Sequence, residues 1–129
     1  MSSPKERFEI EYIIKTSPSI LFTRLSSPSG LSEWFADDVN LKGKIYTFVW
    51  DGAEQQAEQT LRKENKMVRY HWLEEEDEKS FFEFRINVDD LTGETALLVI
   101  DHAEPDEIDD ATELWNQQIE ELKHGLGSV

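Results

Sequence analysis

Few side chains in the 129-residue chain have the types and spacings that suit catalysis. His71, His102 and His124 lie far apart, and cysteine is absent. Neither local metal-ligand spacing, thiolate chemistry nor a disulfide framework is therefore available. The carboxylate pairs Asp37-Asp38 and Asp89-Asp90 stand at turns, where capping of backbone N–H groups accounts for them. General acid–base work needs buried, convergent groups instead. The six glycines are scattered and form no phosphate-cradling loop. No catalytic residue is assigned, and no metal or cofactor is expected.

What the sequence holds in quantity is aromatic surface suited to binding. The run Gly30 to Asp38, GLSEWFADD, sets Trp34 beside Phe35. Tyr46, Phe48 and Trp50 alternate in IYTFVW, Tyr70 and Trp72 in MVRYHWL, and Phe82 and Phe84 in FFEFRINV. Trp115 and Ile119 share one stripe of a C-terminal helix. Such rings either fill a core completely or wall a cavity for a small hydrophobic ligand, lipid-like or aromatic. Buried Tyr and Trp tips seek hydrogen-bond partners and could orient a ligand's polar end. Ile100 and His102 join this set if Leu98, Ile100 and His102 point inward; Leu97 and Val99 are the alternative inward pair. His102 then reads either as a strand-end histidine bonded to backbone or solvent, or as a ligand-binding or acid–base group. His71 alternates with Tyr70 and Trp72, which turns it to solvent near Arg69 and Arg85.

The elements that must position these residues follow from periodicity. Phe8, Ile10, Tyr12 and Ile14 alternate with polar residues as a half-buried strand. Thr16-Ser17-Pro18 starts a short helix, Ser26 to Gly30 breaks it, and a second short helix runs through Trp34-Phe35. Hairpin-linked strands follow: Val39–Leu41, Ile45–Trp50, Gln55–Arg62, Met67–Leu73, Ser80–Val88 and Glu94–His102. Asp51-Gly52 is a hairpin-type turn, and the five acids Glu74–Glu78 form a solvated loop. A long helix from about Asp106 to His124 carries Ile108, Ala111, Trp115, Ile119 and Leu122 on one stripe, acids at its start, and Lys123 and His124 at its end.

Seven strands are too many for one helix to cover if the sheet stays flat. The expectation is α+β: a curved antiparallel sheet of about seven strands wrapped around the long C-terminal helix, with two short helices between the first two strands plugging the open end. Residues 1–129 read as one domain with no internal repeat.

Charge restricts the partners. The net charge is −15, with residues 1–65 near balance and residues 66–129 carrying −13. Nucleic acid and anionic membrane surfaces are repelled by that field. Nothing resembles a signal peptide, and no apolar run approaches the roughly 20 residues of a membrane span, so a cytoplasmic location is expected.

The element order resembles the START-like, helix-grip (SRPBCC) superfamily. Within it, the chain is similar to the activator-of-heat-shock-protein-ATPase homology group, in its small single-domain bacterial type. The residues carrying the resemblance are Gly30 to Asp38 with its Leu-x-x-Trp-Phe-x-x-Asp core, Tyr46 to Trp50, Tyr70-His71-Trp72, and Leu114-Trp115 followed by Ile119 and Leu122. The resemblance implies a curved sheet gripping its C-terminal helix. It also implies apolar ligand binding in some members, chaperone contact in others, and cyclase or hydrolase chemistry in a few. The function expected is binding of a small hydrophobic ligand between sheet and helix, with Trp34 and Phe35 at the entrance. The alternative is an interaction module whose acidic surface meets a chaperone or another basic partner. A homodimer is expected from an apolar stripe on the outer face: Ile13, Phe81 and, in one orientation of the last strand, Leu97 and Val99.

Overall fold

The computed structural model describes residues 4–74 and 79–127. Strands β1 (Glu6–Ile13), β2 (Asp38–Lys42), β3 (Ile45–Trp50), β4 (Ala53–Lys63), β5 (Met67–Trp72), β6 (Phe81–Val88) and β7 (Thr95–Ala103) form one sheet. Its spatial order is β1-β7-β6-β5-β4-β3-β2, and every pairing is antiparallel. Helices α1 (Pro18–Ser26) and α2 (Pro28–Leu31) carry the chain from one sheet edge to the other. A 3-10 turn at Pro105–Glu107 leads into α3 (Ile108–Gly125). The fold is thus α+β: a seven-stranded antiparallel sheet wrapped around its long C-terminal helix, with two short helices after the first strand. Of the acidic loop Glu74–Glu78, residues 75–78 lie outside the described residues.

The second short helix starts earlier than periodicity suggests. Ser27 accepts a hydrogen bond from the Gly30 N–H at 3.0 Å, and Pro28 takes the first helical position, so α2 spans Pro28–Leu31. Trp34 and Phe35 follow it in tight turns that hang from the Leu31 carbonyl. Gly30 is needed there because a Cβ would stand 2.3 Å from the Thr23 carbonyl oxygen and 2.7 Å from Arg24 Cα. Only glycine lets α2 pack this closely onto α1.

Sheet curvature has local causes. The register of β4 against β5 shifts between Gln59 and Leu61, an irregularity of the kind that bends a strand. The small Ala57 pairs with Tyr46 on one side and Trp72 on the other, leaving room for two large rings on the inner face. The β3–β4 hairpin turns at Asp51 and Gly52, both at positive φ, as a type I′ turn requires.

The orientation of β7 decides which residues face α3. Leu97 and Val99 are fully buried and pair with Ile86 and Phe84 of β6 and with Tyr12 and Ile10 of β1. Ile100 and His102 therefore point to the convex face, contrary to the expectation that they line a cavity. Ile100 pairs there with Glu83 and Glu9, and the His102 ring packs on Phe81 with Nδ1 3.1 Å from the Phe81 carbonyl oxygen. Of the outer apolar stripe expected as a dimer face, Ile13 alone stays exposed, at 43%. Leu97 and Val99 are core, and Phe81 is half-buried between His102 and the Arg69 guanidinium, which sits 4.3 Å from its ring centre. Glu83 is buried on this face and bridges two cations, Arg69 at 2.6 Å and Arg85.

Candidate functional site

The side chains named from the sequence do not all serve one purpose once placed. Tyr46, Phe48, Tyr70, Phe82, Phe84 and Ile119 are buried to 2% exposure or less and fill the grip between sheet and helix. Phe35 is wedged at their centre. Its ring lies 5.0 Å from Phe48, 5.2 Å from Phe82, 5.3 Å from Trp50 and 5.9 Å from Trp115. Offset and edge-on contacts of this kind are favourable geometries for aromatic pairs. Most of the grip is thus solid.

The polar tips of these rings are spent on the fold. Helix α1 stops at Ser26, since Pro28 cannot continue it, and its last carbonyls lack helical partners. Three aromatic side chains supply them. Trp34 Nε1 donates to the Arg24 carbonyl at 2.8 Å, Tyr70 Oη to Leu25 at 2.7 Å, and Tyr46 Oη to Ser26 at 2.7 Å. Burial raises the Tyr46 hydroxyl above its ordinary pKa and the Tyr70 hydroxyl well above it, so both stay protonated as donors. Gln59 Nε2 completes the cluster by donating to Tyr46 Oη at 3.0 Å. These tips cap a helix rather than meet a ligand, and Trp34, 6% exposed, is a core residue like Trp115.

The unfilled space lies toward the N-terminal half of α3. A cavity of about 340 Å³ is lined by Phe35, Trp50 (β3), Gln55 (β4), Trp72 (β5), Asp101 (β7) and the α3 residues Ala111, Leu114, Trp115 and Gln118. That is near the lower limit for small-molecule pockets, roughly 300 Å³. Trp50 and Trp72 are half-buried, and their ring centres are 6.3 Å apart. Leu114 is 57% exposed at the mouth. A second, more open groove borders it past Trp34 and Ala36. The divider is the Phe35 carbonyl, which accepts from Trp50 Nε1 at 2.7 Å and from Gln118 Nε2 at 3.1 Å.

Among the described residues, one acid lines this cavity. Asp101 falls in the inward register of Leu97 and Val99, and its Oδ2 accepts from Trp115 Nε1 at 2.8 Å while Oδ1 accepts from the His102 N–H at 2.8 Å. Burial pushes the Asp101 carboxyl up, opposed by these two bonds and by the charges of His102 and Lys5. The folded protein therefore holds this proton more tightly than the unfolded chain. The stability it contributes is present in acid and is lost as pH rises through the folded-state pKa. Asp101→Asn should accordingly raise the melting temperature at neutral pH, with the gain shrinking as pH falls into the carboxylate range. A gain independent of pH would show that ionisation at Asp101 is not its source.

Sequence reading placed Phe35, Trp50, Trp72 and Trp115 in a binding region, and these four line the cavity. It did not place Gln55, Asp101, Leu114 or Gln118 there. Asp101 was within reach, because choosing Leu97 and Val99 as the inward pair carries Asp101 with them. Gln118 stands three residues after Trp115, on the same helical stripe. The acids at turns act as expected of caps. Asp37 Oδ2 accepts from the Asp51 N–H, Asp38 Oδ1 from Val39, and Asp89 Oδ1 from Leu91 and Thr92. Among the described residues, no group of three or more His, Asp or Glu is arranged to hold a metal, and no helix is long and apolar enough to cross a membrane.

Comparison with known proteins agrees with this architecture. A Bacteroides fragilis protein with a solution NMR structure is 37% identical, over 100% of this chain and 95% of its own, with a TM-score of 0.70. A Mesorhizobium loti crystal structure is 22% identical over 95% of this chain and 97% of its own, with a TM-score of 0.76. The Aha1 dimer from Colwellia psychrerythraea is 19% identical over 92% of this chain and 93% of its own, also with a TM-score of 0.76. At the last two identities the likeness is one of fold. No curated protein matches the chain. The family model described as START-like superfamily domain matches residues 1–128, and the chain belongs to that superfamily.

Proposed function

We propose that the protein binds a small, largely apolar ligand in the cavity between the inner face of the sheet and the N-terminal half of α3. The observation that carries this reading is the cavity itself, about 340 Å³ walled by Phe35, Trp50, Trp72, Leu114 and Trp115. Most of the grip is packed solid, so this space is not a general looseness of the core. Rings held by a carbonyl bond at Trp50 and a carboxylate bond at Trp115 are pre-organised, and little side-chain entropy is lost when a ligand contacts them. At about 30 Å³ per water-sized unit, the space suits a ligand with on the order of ten heavy atoms.

Filling the space tests the reading. Ala111 is half-buried in the lining, so Ala111→Trp should occupy the cavity while its indole extends toward the mouth. The small neutral dye 1-naphthylamine should shift its emission to the blue with the parent protein and quench its tryptophans. In Ala111→Trp the affinity should fall by at least about tenfold, a loss of about 1.4 kcal/mol. Thermal melts should show a fold still intact. Unchanged dye affinity in the filled variant would place the binding elsewhere and refute the proposal.

A further inference from the structure

We infer that the ligand of this cavity is an organic cation, an ammonium group carried on an apolar body, with the Asp101 carboxylate and the surrounding indoles as its recognition elements. The inference rests on the cavity reading above and adds the ligand's charge to it.

The lining is chemically one-sided. Three tryptophans and a phenylalanine supply π-faces, and Asp101 is the single ionisable side chain among the described residues of the lining. Gln55 and Gln118 are neutral, and among the described residues no Lys, Arg or His borders the space. Aromatic rings attract an ammonium through their quadrupoles, and the attraction grows as the pair is desolvated. An aromatic cage closed by a carboxylate is the arrangement that suits an organic cation. A fatty acid or another anion would meet ring faces of the wrong sign and a like charge, with no donor cation to hold it.

Asp101 has acceptor capacity to spare. Each oxygen takes one bond from the protein, Oδ2 from Trp115 Nε1 and Oδ1 from the His102 N–H, while a carboxylate offers about four lone-pair sites. It forms no ion pair with any described residue. The nearby cations act only at longer range: Lys5, whose Nζ lies 3.3 Å from Ser80 Oγ, and His102, whose ring is on the opposite face of the sheet. A ligand ammonium would bring a counter-charge into direct contact with this half-buried carboxyl, offsetting the desolvation that pushes its pKa up. The approach is favourable too. Exposed Asp109 and Asp110 directly precede Ala111 of the lining, and residues 66–129 carry a net charge of −13.

Three probes of closely similar size test the inference: 2-phenylethylammonium, its neutral carbon isostere propylbenzene, and the anion phenylacetate. Each is titrated into the whole protein while tryptophan fluorescence is followed. The cation should bind at least about tenfold more tightly than either of the others. Asp101→Asn keeps the shape and should erase that preference, leaving the neutral probe's affinity within about twofold. If the neutral or anionic probe binds the parent as well as the cation does, the inference is overturned while the cavity reading stands. If no probe binds, and the naphthylamine dye is also ignored, both fall together. Because the preference is read first in the parent protein, the outcome does not depend on how the variant folds.

Discussion

Phe35→Ala should cost about 4 kcal/mol of stability, the middle of the range for a buried phenylalanine. The side chain is 5% exposed and its ring contacts those of Trp34, Phe48, Trp50, Phe82, Phe84 and Trp115. Rings are stiff and cannot collapse into the vacated space as aliphatic side chains do, so the cavity term should be felt nearly in full. Against a typical domain stability of roughly 5–15 kcal/mol, the variant would stand close to unfolding. Phe35 also forms the inner wall of the ligand cavity, so the same truncation should deepen it. The Phe35 carbonyl keeps its bonds from Trp50 and Gln118, since neither involves the ring. Urea melts give the stability loss, and dye binding at a temperature where the variant is folded gives the change in the site. A loss below about 1.5 kcal/mol would mean that the surrounding rings do repack and that the grip is less rigid than its contacts imply.

Glu83→Ala should cost about 2–3 kcal/mol, the second largest effect expected, and it tests the opposite face of the sheet. Glu83 is fully buried although it lies on the convex side, and its two oxygens engage Arg69 and Arg85. Removing the carboxylate leaves two guanidinium groups facing each other across β5 and β6. Their side chains are 35% and 40% exposed, so both can recover water, which holds the cost below that of a wholly buried pair. Arg69 also loses the bond that holds it over the Phe81 ring. In a double-mutant cycle, Arg69→Ala together with Glu83→Ala should cost clearly less than the sum of the single changes. Strict additivity would show that Glu83 acts through packing rather than through charge.

The two faces of the sheet illustrate why a strand pattern alone misplaced two residues. Strand β7 reads TALLVIDHA, apolar at the five consecutive positions from Ala96 to Ile100, so alternation cannot choose between its faces. Both faces turn out to be covered. Leu97 and Val99 meet the core, while Ile100, 1% exposed, is buried on the convex side among Glu9 and Glu83. Burial of Ile100 is real, and only its side of the sheet differs from the expectation. A strand buried on both faces carries no periodic signal, and its orientation is set by registers with β1 and β6 that are distant in sequence.

Alternation in β1, β3, β5 and β6, the proline and serine signals around α1 and α2, and the helical stripe ending at Leu122 determined the seven strands, their antiparallel links and the helix that covers them. These are local properties, fixed by backbone geometry and by which side chains avoid water within a few residues. Tertiary structure alone decided the site. Whether the grip is hollow or filled depends on how six rings from β3, β6, α3 and the turn after α2 add up around Phe35, a sum that no local pattern contains. The same holds for the tyrosine and tryptophan tips. Sequence says that they need partners, but that the partners are the last carbonyls of α1 follows only when β3 and β5 are laid beneath that helix. Asp101 became a cavity residue for the same reason: a carboxylate at a strand end acquires its chemistry from Trp115, fourteen residues away, and from the rings that keep water out.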